Sequence, residues 1–202
     1  MPRIVDKEQK AKDIALAALR VFNQVGFHQA RMSDIAVAAG LGKGTLYEYF
    51  KDKLDILRFE LDRYFLAFKE GIAASICNVQ SPNERLLAVI DFSFAHVEEW
   101  EDHCAVFVDS FSLARTEEKQ RLSLDGMYEE MRTMLVVLIR EGQKGREIRG
   151  DLNPEATAEL LVSLFDGIVL HGVFAERSSG IEALKATAVS ILTEGLIVRP
   201  GK

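Results

Sequence analysis

The sequence lacks several features that mark whole classes of protein. It has two cysteines and four prolines in 202 residues, so neither a disulfide framework nor a proline-rich linker is expected. Cys77 and Cys104 lie in apolar segments without metal-ligand spacing, which predicts free core thiols in a reducing cytoplasm. No apolar run reaches the roughly 18 residues of a membrane helix, and the charged N-terminal segment predicts no signal peptide. These absences favour a cytoplasmic globular protein without a membrane partner.

Residue sets typical of catalysis are also missing. The sequence shows no Ser-His-Asp set, no glycine-rich phosphate loop and no convincing metal cluster, which predicts a protein that is not an enzyme and has no cofactor. His96, Glu99 and His103 would share one face of an unbroken helix as possible metal ligands. The acidic segment 98–102 is more typical of a surface bend, so we expect no metal site.

The chain also lacks an overall excess of positive charge. Its formal net charge is −6, but the charges are unevenly distributed. Residues 1–55 carry nine Lys and Arg against seven Asp and Glu, whereas the remainder carries 16 against 24. A mildly basic head on an acidic body fits a protein that reads DNA with its first part and whose remaining surface is repelled by the duplex.

Helical periodicity runs along the whole sequence, without the alternating pattern of strands. Start and stop signals divide it: helices are expected to begin at Asp52, Ser81 and Asn153, and to end at Gly26 and at Gly142 with Gly145. We predict an all-α protein of about nine helices. A head over residues 1–50 would be followed by a larger ligand-binding and dimerisation bundle over residues 51–202.

The most informative segment runs from Ser33 to Lys53. Its apolar positions predict two short helices, and Gly40 supplies the turn between them. The outer face of the second helix would carry groups that reach a phosphate or a base edge: Lys43, Gly44, Thr45, Tyr47 and Tyr49. Two helices around a short glycine turn, with donors on the second, are the helix-turn-helix pattern for the DNA major groove.

These outward residues have separate reasons to meet DNA. Lys43 can reach a guanine edge or a phosphate, and Thr45 can donate its hydroxyl to a phosphate. The missing side chain of Gly44 lets the backbone approach closely. Tyr47 and Tyr49 would direct their phenols toward the sugar-phosphate backbone, with Tyr47 expected to be partly packed.

Two charged residues complete the candidate DNA-binding set. Glu48 either accepts a hydrogen bond from a cytosine amine or faces solvent, the second being the commoner situation. Lys53 lies at the start of the long helix, where its ammonium and the helix dipole are expected to meet one phosphate together.

The run Gly44–Lys53, preceded by Asp34-Ile-Ala and Ala39-Gly-Leu, resembles the TetR family of bacterial transcriptional regulators. The resemblance covers about residues 10–57, and the stretch 141–155 is more weakly similar to the family's effector domains. It implies an all-α homodimer whose N-terminal head binds a palindromic DNA operator and whose C-terminal domain holds a small-molecule effector.

Two places depart from the family's pattern. Ala30 and Arg31 stand where many members have Thr or Ser that cap the second helix. We therefore expect Ser33 to cap a slightly shortened helix and Arg31 to supply the phosphate contact. Gly42 replaces the Ser that usually caps the recognition helix, which costs only a few tenths of a kcal/mol.

The body offers candidates for an effector site. Aromatic and Met residues at helical spacing would line an apolar pocket, although such positions are more often plain core. Polar residues among them need a partner in the protein or the ligand, and His171 suits a dimer interface slightly better. The candidates are Trp100, Phe107, Asp109, Ser110, Phe111, Met127, Met131, Phe165 and His171.

The last two helices, about 153–175 and 181–197, are apolar around much of their circumference, which predicts pairing with their copies in a homodimer. Together with the resemblance, this predicts a repressor that a small apolar or aromatic effector, such as an acyl chain, releases from its operator. A constitutive DNA-binding regulator without an effector is the alternative. Activation is as compatible with the sequence as repression.

Overall fold

The computed structural model describes residues 7–97, 106, 108–109, 112, 124–174 and 179–197. Within these ranges, an isolated bridge between Ile148 and Ile197 is the only β-type pairing. The eight helices bounded there are α1 Lys7–Val25, α2 Met32–Ala38, α3 Lys43–Tyr49, α4 Lys53–Ile76, α5 Pro82–Ala95, α6 Leu124–Lys144, α7 Pro154–Phe174 and α8 Ile181–Leu196. The predicted all-α fold is confirmed, with a helix count close to the expected nine.

Three predicted start signals cap helices through side-chain oxygens. Asp52 Oδ1 accepts the Asp55 N–H at 2.9 Å at the start of α4. Ser81 Oγ accepts the Glu84 N–H at 3.2 Å before α5, with Pro82 in the first helical position. Asn153 Oδ1 accepts the Ala156 N–H at 2.9 Å before α7. Each oxygen satisfies a backbone donor that has no partner inside its helix.

The glycine signals are correct in the head and partly wrong before α7. Gly26 and Gly40 have φ values of +79° and +64°, in the left-handed region that glycine adopts at little cost. Gly142 does not end α6, which continues to Lys144. A Cβ at Gly142 would stand 2.5 Å from Ile148 Cδ1, so glycine is required there by the close approach of Ile148.

The chain forms two compact units. The first, called the head unit here, comprises Met1–Leu66 and Asp102–Leu124. The second, called the body unit, comprises Ala67–Glu101 and Asp125–Lys202. The division falls inside α4, and a segment from the middle of the sequence belongs to the same unit as the helix-turn-helix. No local sequence signal indicates that membership.

The head unit has one apolar core. It receives fully buried side chains from α1, α2, α3 and the first half of α4, and Phe22 and Phe27 contact each other with ring centroids 5.1 Å apart. The largest of these side chains are Ile14, Phe22, Ile35, Leu46, Ile56 and Leu57. This core fixes the two short helices of the candidate DNA-binding motif, which are too short to be stable alone.

The body unit buries a second set of apolar residues on α4, α5, α6 and α7, among them Ile72, Leu86, Ile139 and Ala158. Side-chain pairs also join its helices, including the ion pair of Lys185 with Asp91 and the ring contact of Phe68 with Phe92. None of the helices in the described ranges is long and apolar enough to cross a membrane.

Candidate DNA-binding surface and ligand pocket

The start of α2 differs from the expectation. The prediction that Ser33 caps a shortened helix is wrong, because α2 begins at Met32 and Arg31 occupies the N-cap position. The carboxylate of Asp34 accepts the Arg31 N–H at 3.2 Å, and the Ser33 hydroxyl lies 3.3 Å from the other oxygen of that carboxylate. The Arg31 side chain is exposed beside this turn.

Helix α3 separates an inner from an outer face as its sequence predicts. Leu46 is fully buried in the head core, and Phe50, which follows the helix, is buried with it. The outer side chains of Lys43, Thr45 and Glu48 are exposed. Helix α3 therefore holds its polar groups outward on a fixed apolar base.

The two tyrosines of α3 have different surroundings. Tyr47 is half-exposed, and its ring centroid lies 5.9 Å from the Lys43 ammonium. Tyr49 packs partly against the head core, so it is the more buried of the two. The expectation of partial packing thus describes Tyr49 better than Tyr47.

Gly44 lies in an open part of α3. A Cβ placed there would meet no atom of the described protein within 4 Å, so internal packing does not demand glycine. Gly42 caps the helix with an extended backbone, at φ −69° and ψ 148°. This conformation is open to a serine as well.

Lys53 makes contacts that the sequence does not indicate. Its ammonium donates to the carbonyl oxygens of Phe27 at 2.6 Å, His28 at 2.8 Å and Ala30 at 3.1 Å. These bonds use all three donors of a lysine. Burial lowers the pKa of Lys53, and the negative charge of Asp109 opposes that shift. These contacts give Lys53 a structural role in the head unit, and its expected phosphate contact stays a prediction.

Asp109 also finds its partner inside the head unit. Its Oδ2 accepts the backbone N–H of Phe27 at 2.8 Å. The sequence indicates that a carboxylate in so apolar a neighbourhood needs a partner, but not that the partner lies 82 residues earlier. Asp109 is not among the residues that line the cavity described next.

The body unit contains a small apolar cavity of about 40 Å³ that is partly open to solvent. Four helices, α5, α6, α7 and α8, contribute its walls. The lining residues are Val89, Ile90, Ser93, Phe94, Met131, Met134, Leu135, Leu161, Val162, Leu164, Phe165 and Leu192. The single polar member, Ser93, donates its hydroxyl to the Val89 carbonyl at 2.8 Å, so the cavity presents hydrocarbon to a ligand.

Two of the nine effector candidates, Met131 and Phe165, line this cavity. Met127 and His171 do not, and His171 lies on the exposed side of α7. Trp100, Phe107, Ser110 and Phe111 lie outside the described residues. The other ten lining residues are not among these nine candidates, because helical periodicity marks a residue as inward-facing without distinguishing a filled core from a cavity.

A polar pair on α6 and α7 is also missed by sequence reasoning. The Tyr128 hydroxyl donates to the carboxylate of Asp166. Burial raises the pKa of Asp166 to about 6, and the bond from Tyr128 opposes the shift. Burial and the negative charge of Asp166 raise the pKa of Tyr128. Asp166 follows Phe165 in the sequence, so the pair lies one residue from the cavity lining.

Helices α7 and α8 also expose apolar surface. Leu160, Phe174 and Ile191 are 66%, 71% and 65% exposed. On α7, residues 160, 164, 167, 171 and 174 recur at the spacing of a single helical face, and the described members of this face carry no carboxylate or ammonium.

Of the three candidate metal ligands, His96 lies within the described part of the chain. Glu99 and His103 lie outside it, and the Nδ1 atom of His96 lies 2.8 Å from the Phe92 carbonyl oxygen. No group of three or more His, Cys, Asp or Glu residues able to hold a metal occurs among the described residues.

The head unit thus presents a helix-turn-helix with exposed donors, and the body unit encloses an apolar cavity. These features define the class of helix-turn-helix DNA-binding proteins. The family description "Bacterial regulatory proteins, tetR family" matches residues 14–58, and "BetI-type transcriptional repressor, C-terminal" matches residues 82–196. The chain belongs to the TetR family, with a C-terminal region of the BetI type, and is a DNA-binding transcriptional regulator.

Individual relatives agree with this assignment. The chain is 26% identical over 190 residues to the fatty acid metabolism regulator protein of Bacillus subtilis, covering 94% of this chain and 97% of the relative. It resembles the structure of the regulator FadR from B. subtilis in complex with stearoyl-CoA, with a TM-score of 0.78, 25% identity and coverage of 91% and 98%.

A third relative shows the fold alone. The structure of a transcriptional regulator from Saccharomonospora viridis in complex with choline has a TM-score of 0.83 at 22% identity, and the match covers 95% of this chain and all of that one. The relatives named here are transcriptional regulators, and two of them were solved with ligands of very different chemistry.

Proposed function

We propose that the protein is a homodimeric transcriptional repressor that leaves its operator when a ligand with a long hydrocarbon chain enters the cavity of the body unit. The observation that carries this proposal is the cavity lining. Eleven of its twelve residues are apolar, and the hydroxyl of the twelfth, Ser93, is already bonded to the backbone. The cavity lies between the helices of a bundle, which is a usual position for a small-molecule site.

The lining favours an acyl chain over a quaternary ammonium ion. Such cations are recognised by aromatic rings arranged around the charge. The described lining contains two such rings, Phe94 and Phe165, and no carboxylate. The stearoyl-CoA complex of the relative from B. subtilis supports the same choice. The structure with choline is only 22% identical to this chain, so it supports the assignment of the fold and gives no information about the ligand.

Chain length gives the proposal a quantitative test. Burying one methylene group stabilises a complex by about 0.8 kcal/mol, which corresponds to roughly fourfold tighter binding for each added carbon until the cavity is full. Saturated acyl-CoA thioesters of increasing length are therefore expected to bind with steadily rising affinity. Choline is expected not to bind.

The DNA-binding side of the proposal rests on the exposed residues around α2 and α3. Arg31, Ser33, Lys43, Gly44, Thr45, Tyr47 and Glu48 are all exposed. We assign phosphate or base contacts to Arg31, Lys43, Thr45 and Tyr47, and close backbone approach to Gly44. Tyr49 contributes only its outer edge, and Lys53 supports the surface from behind through its three carbonyl contacts.

Dimerisation is assigned to the exposed apolar faces of α7 and α8. Leu160, Phe174 and Ile191 would be covered by the same helices of a second copy, as a two-fold interface requires. His171, exposed on the same face of α7, would then lie in the interface. Leu160→Lys is expected to yield monomers in sedimentation analysis, whereas Val137→Lys, a change of another exposed apolar residue, on α6, should remain dimeric.

The direct experiment selects double-stranded DNA from a random pool with the purified protein and then adds ligand. Palmitoyl-CoA and stearoyl-CoA are expected to release the selected palindrome in a gel-shift assay, with octanoyl-CoA much weaker and choline inactive. Release by choline would overturn the acyl-chain assignment. If no acyl-CoA binds or releases DNA, the alternative of a constitutive regulator replaces the proposal.

A further inference from the structure

A helical segment from the middle of the chain is built into the head unit. Val106, Val108, Asp109 and Ser112 are helical, and this part of the chain belongs to the head unit. Val106 is buried in the same apolar cluster as Ile14 and Leu46. Asp109 follows three residues later, on the same helical face, and bonds the Phe27 N–H. One apolar and one polar contact therefore join the segment to the DNA-binding motif.

Phe27 belongs to the loop that leads from α1 into α2. The loop begins at Gly26, whose positive φ ends α1, and reaches α2 after Arg31. Lys53 binds the loop through the carbonyls of Phe27, His28 and Ala30, and Asp109 binds it through the Phe27 N–H. The loop backbone is thus held by one cation and one anion.

The Phe27 N–H has Asp109 as its acceptor. The Phe27 residue is buried, and its N–H has left the helical hydrogen-bonding pattern of α1, which ends at Val25. A buried N–H without an acceptor is unfavourable, so loss of the Asp109 carboxylate favours a shift of the loop. Because α2 follows the loop directly, such a shift changes the orientation of the helix-turn-helix.

We propose that Asp109 is a positioning residue for operator recognition: it holds the loop 27–30, and through it α2 and α3, in the orientation that matches one DNA sequence. Asp109 contacts no DNA in this role. The inference rests on the DNA-binding part of the proposed function and is independent of the effector. It makes the bond between Asp109 and the Phe27 N–H a control point for operator affinity.

The test compares Asp109→Ala and Asp109→Asn with Asp13→Asn. Asp13 is an exposed carboxylate of the same unit and accepts a hydrogen bond from the Gln9 side chain, so its substitution makes the same change in charge. Affinity is measured for the selected operator and for a scrambled duplex of the same length. Protection of the Phe27 amide from hydrogen exchange reports the loop directly.

Asp109→Ala is expected to weaken operator binding roughly tenfold, as the loss of a hydrogen bond to a charged group allows. Affinity for the scrambled duplex should remain nearly unchanged, because phosphate contacts do not depend on sequence. Asp109→Asn keeps an oxygen acceptor and should recover most of the affinity. Both effects should parallel the protection of the Phe27 amide, and Asp13→Asn should behave like the wild type.

Two results would overturn the inference. One is operator affinity of Asp109→Ala equal to that of Asp13→Asn. The other is a parallel loss of operator and scrambled binding, which marks a general loss of folded protein. If Asp109→Ala fails to fold, Asp109→Leu, which keeps a side chain of similar size and removes the acceptor, supplies the same comparison. A wild-type protein that selects no DNA sequence contradicts the DNA-binding function itself, a failure distinct from either result.

Discussion

The head unit and the body unit are both built from α-helices, but the helices of the head unit form a filled core and those of the body unit surround a cavity. In the head unit, four helices surround a core whose largest side chains are almost fully buried, and the charges near the α1–α2 loop bind backbone groups. In the body unit, four helices leave a small apolar cavity and expose apolar side chains on α7 and α8. The head unit is filled by its own side chains, whereas the body unit has an apolar cavity and an exposed apolar surface that partners can cover.

Helix length explains part of the contrast. Helices α2 and α3 have seven residues each, well below the roughly 12–15 residues at which isolated helices become even marginally stable. Their existence depends on the head core, so the DNA-binding surface is as stable as that core. The body helices have 14–21 residues between α5 and α8. They can lose some packing contacts to a cavity and remain helical.

The largest effect is expected from the head core. Leu46→Ala removes a fully buried side chain from α3 and should lower the free energy of unfolding by about 3–5 kcal/mol. Chemical denaturation followed by circular dichroism measures this loss. Val37→Ala, at a residue that is 81% exposed on α2, should change it by less than about 0.5 kcal/mol. Equal effects would contradict a tightly packed head.

The second effect concerns Asp166, a half-buried acid of the body unit. Burial raises the pKa of Asp166 from 3.8 to about 6, so the folded state binds a proton that the unfolded state releases between these values. The free energy of unfolding therefore falls as pH rises through this window. Asp166→Asn keeps an acceptor for Tyr128 and removes the charge, and it should stabilise the protein by about 2–3 kcal/mol near pH 8.

The same substitution should have little effect near pH 4, where the Asp166 carboxyl is protonated in the folded state. Denaturation curves at about pH 4 and about pH 8 give the comparison. Asp151→Asn is the control, because the bond from Arg149 lowers the pKa of this exposed carboxylate. That variant should not gain stability at high pH. An Asp166→Asn variant without a pH-dependent gain would contradict the buried position of this acid.

The third effect compares overpacking in the two units. Ala18→Val adds two methyl groups to a fully buried position of α1 and should cost about 1–2 kcal/mol. Val162→Phe enlarges a half-exposed side chain that borders the partly open cavity, so part of the ring can enter the cavity and the substitution should cost less than Ala18→Val. Thermal unfolding measures both. A larger loss in Val162→Phe would show that the cavity is not available to a side chain.

The smallest effect is expected at the start of the recognition helix. Gly42 has the extended backbone of an N-cap, so Gly42→Ser should add a capping hydroxyl and a few tenths of a kcal/mol. The midpoint of thermal unfolding should rise by about 1 °C. Gly40→Ser should lower it, because φ at Gly40 is +64°. A fall in both variants would contradict the cap geometry of Gly42.

The contrast between the units also explains what the sequence reveals. Asp52, Ser81 and Asn153 act on backbone groups three residues away, so these helix starts are predictable. Ser33 is mispredicted because the nearby carboxylate of Asp34 accepts the backbone N–H at the start of α2. This competition is local, yet residue preferences alone do not decide it.

Contacts between residues far apart in the sequence cannot be predicted from local capping signals. The bond from Phe27 to Asp109 spans 82 residues, and the bonds from Lys53 reach 23 to 26 residues back. No local pattern pairs these groups. Met131 and Phe165 are correctly placed in the cavity lining, but Leu135 and Leu161 carry the same apolar signal as any core residue. Whether four such helices meet tightly or leave space depends on how their side chains fit together.

The most direct test of the account measures DNA release by stearoyl-CoA from the wild type and from Val162→Phe on the same selected operator. The account predicts equal operator affinity for the two proteins without ligand, because the substitution lies in the body unit. It also predicts release of the wild type and retention of Val162→Phe, whose ring occupies the space of the acyl chain. Release of both proteins at the same ligand concentration would contradict the assignment of the cavity as the effector site.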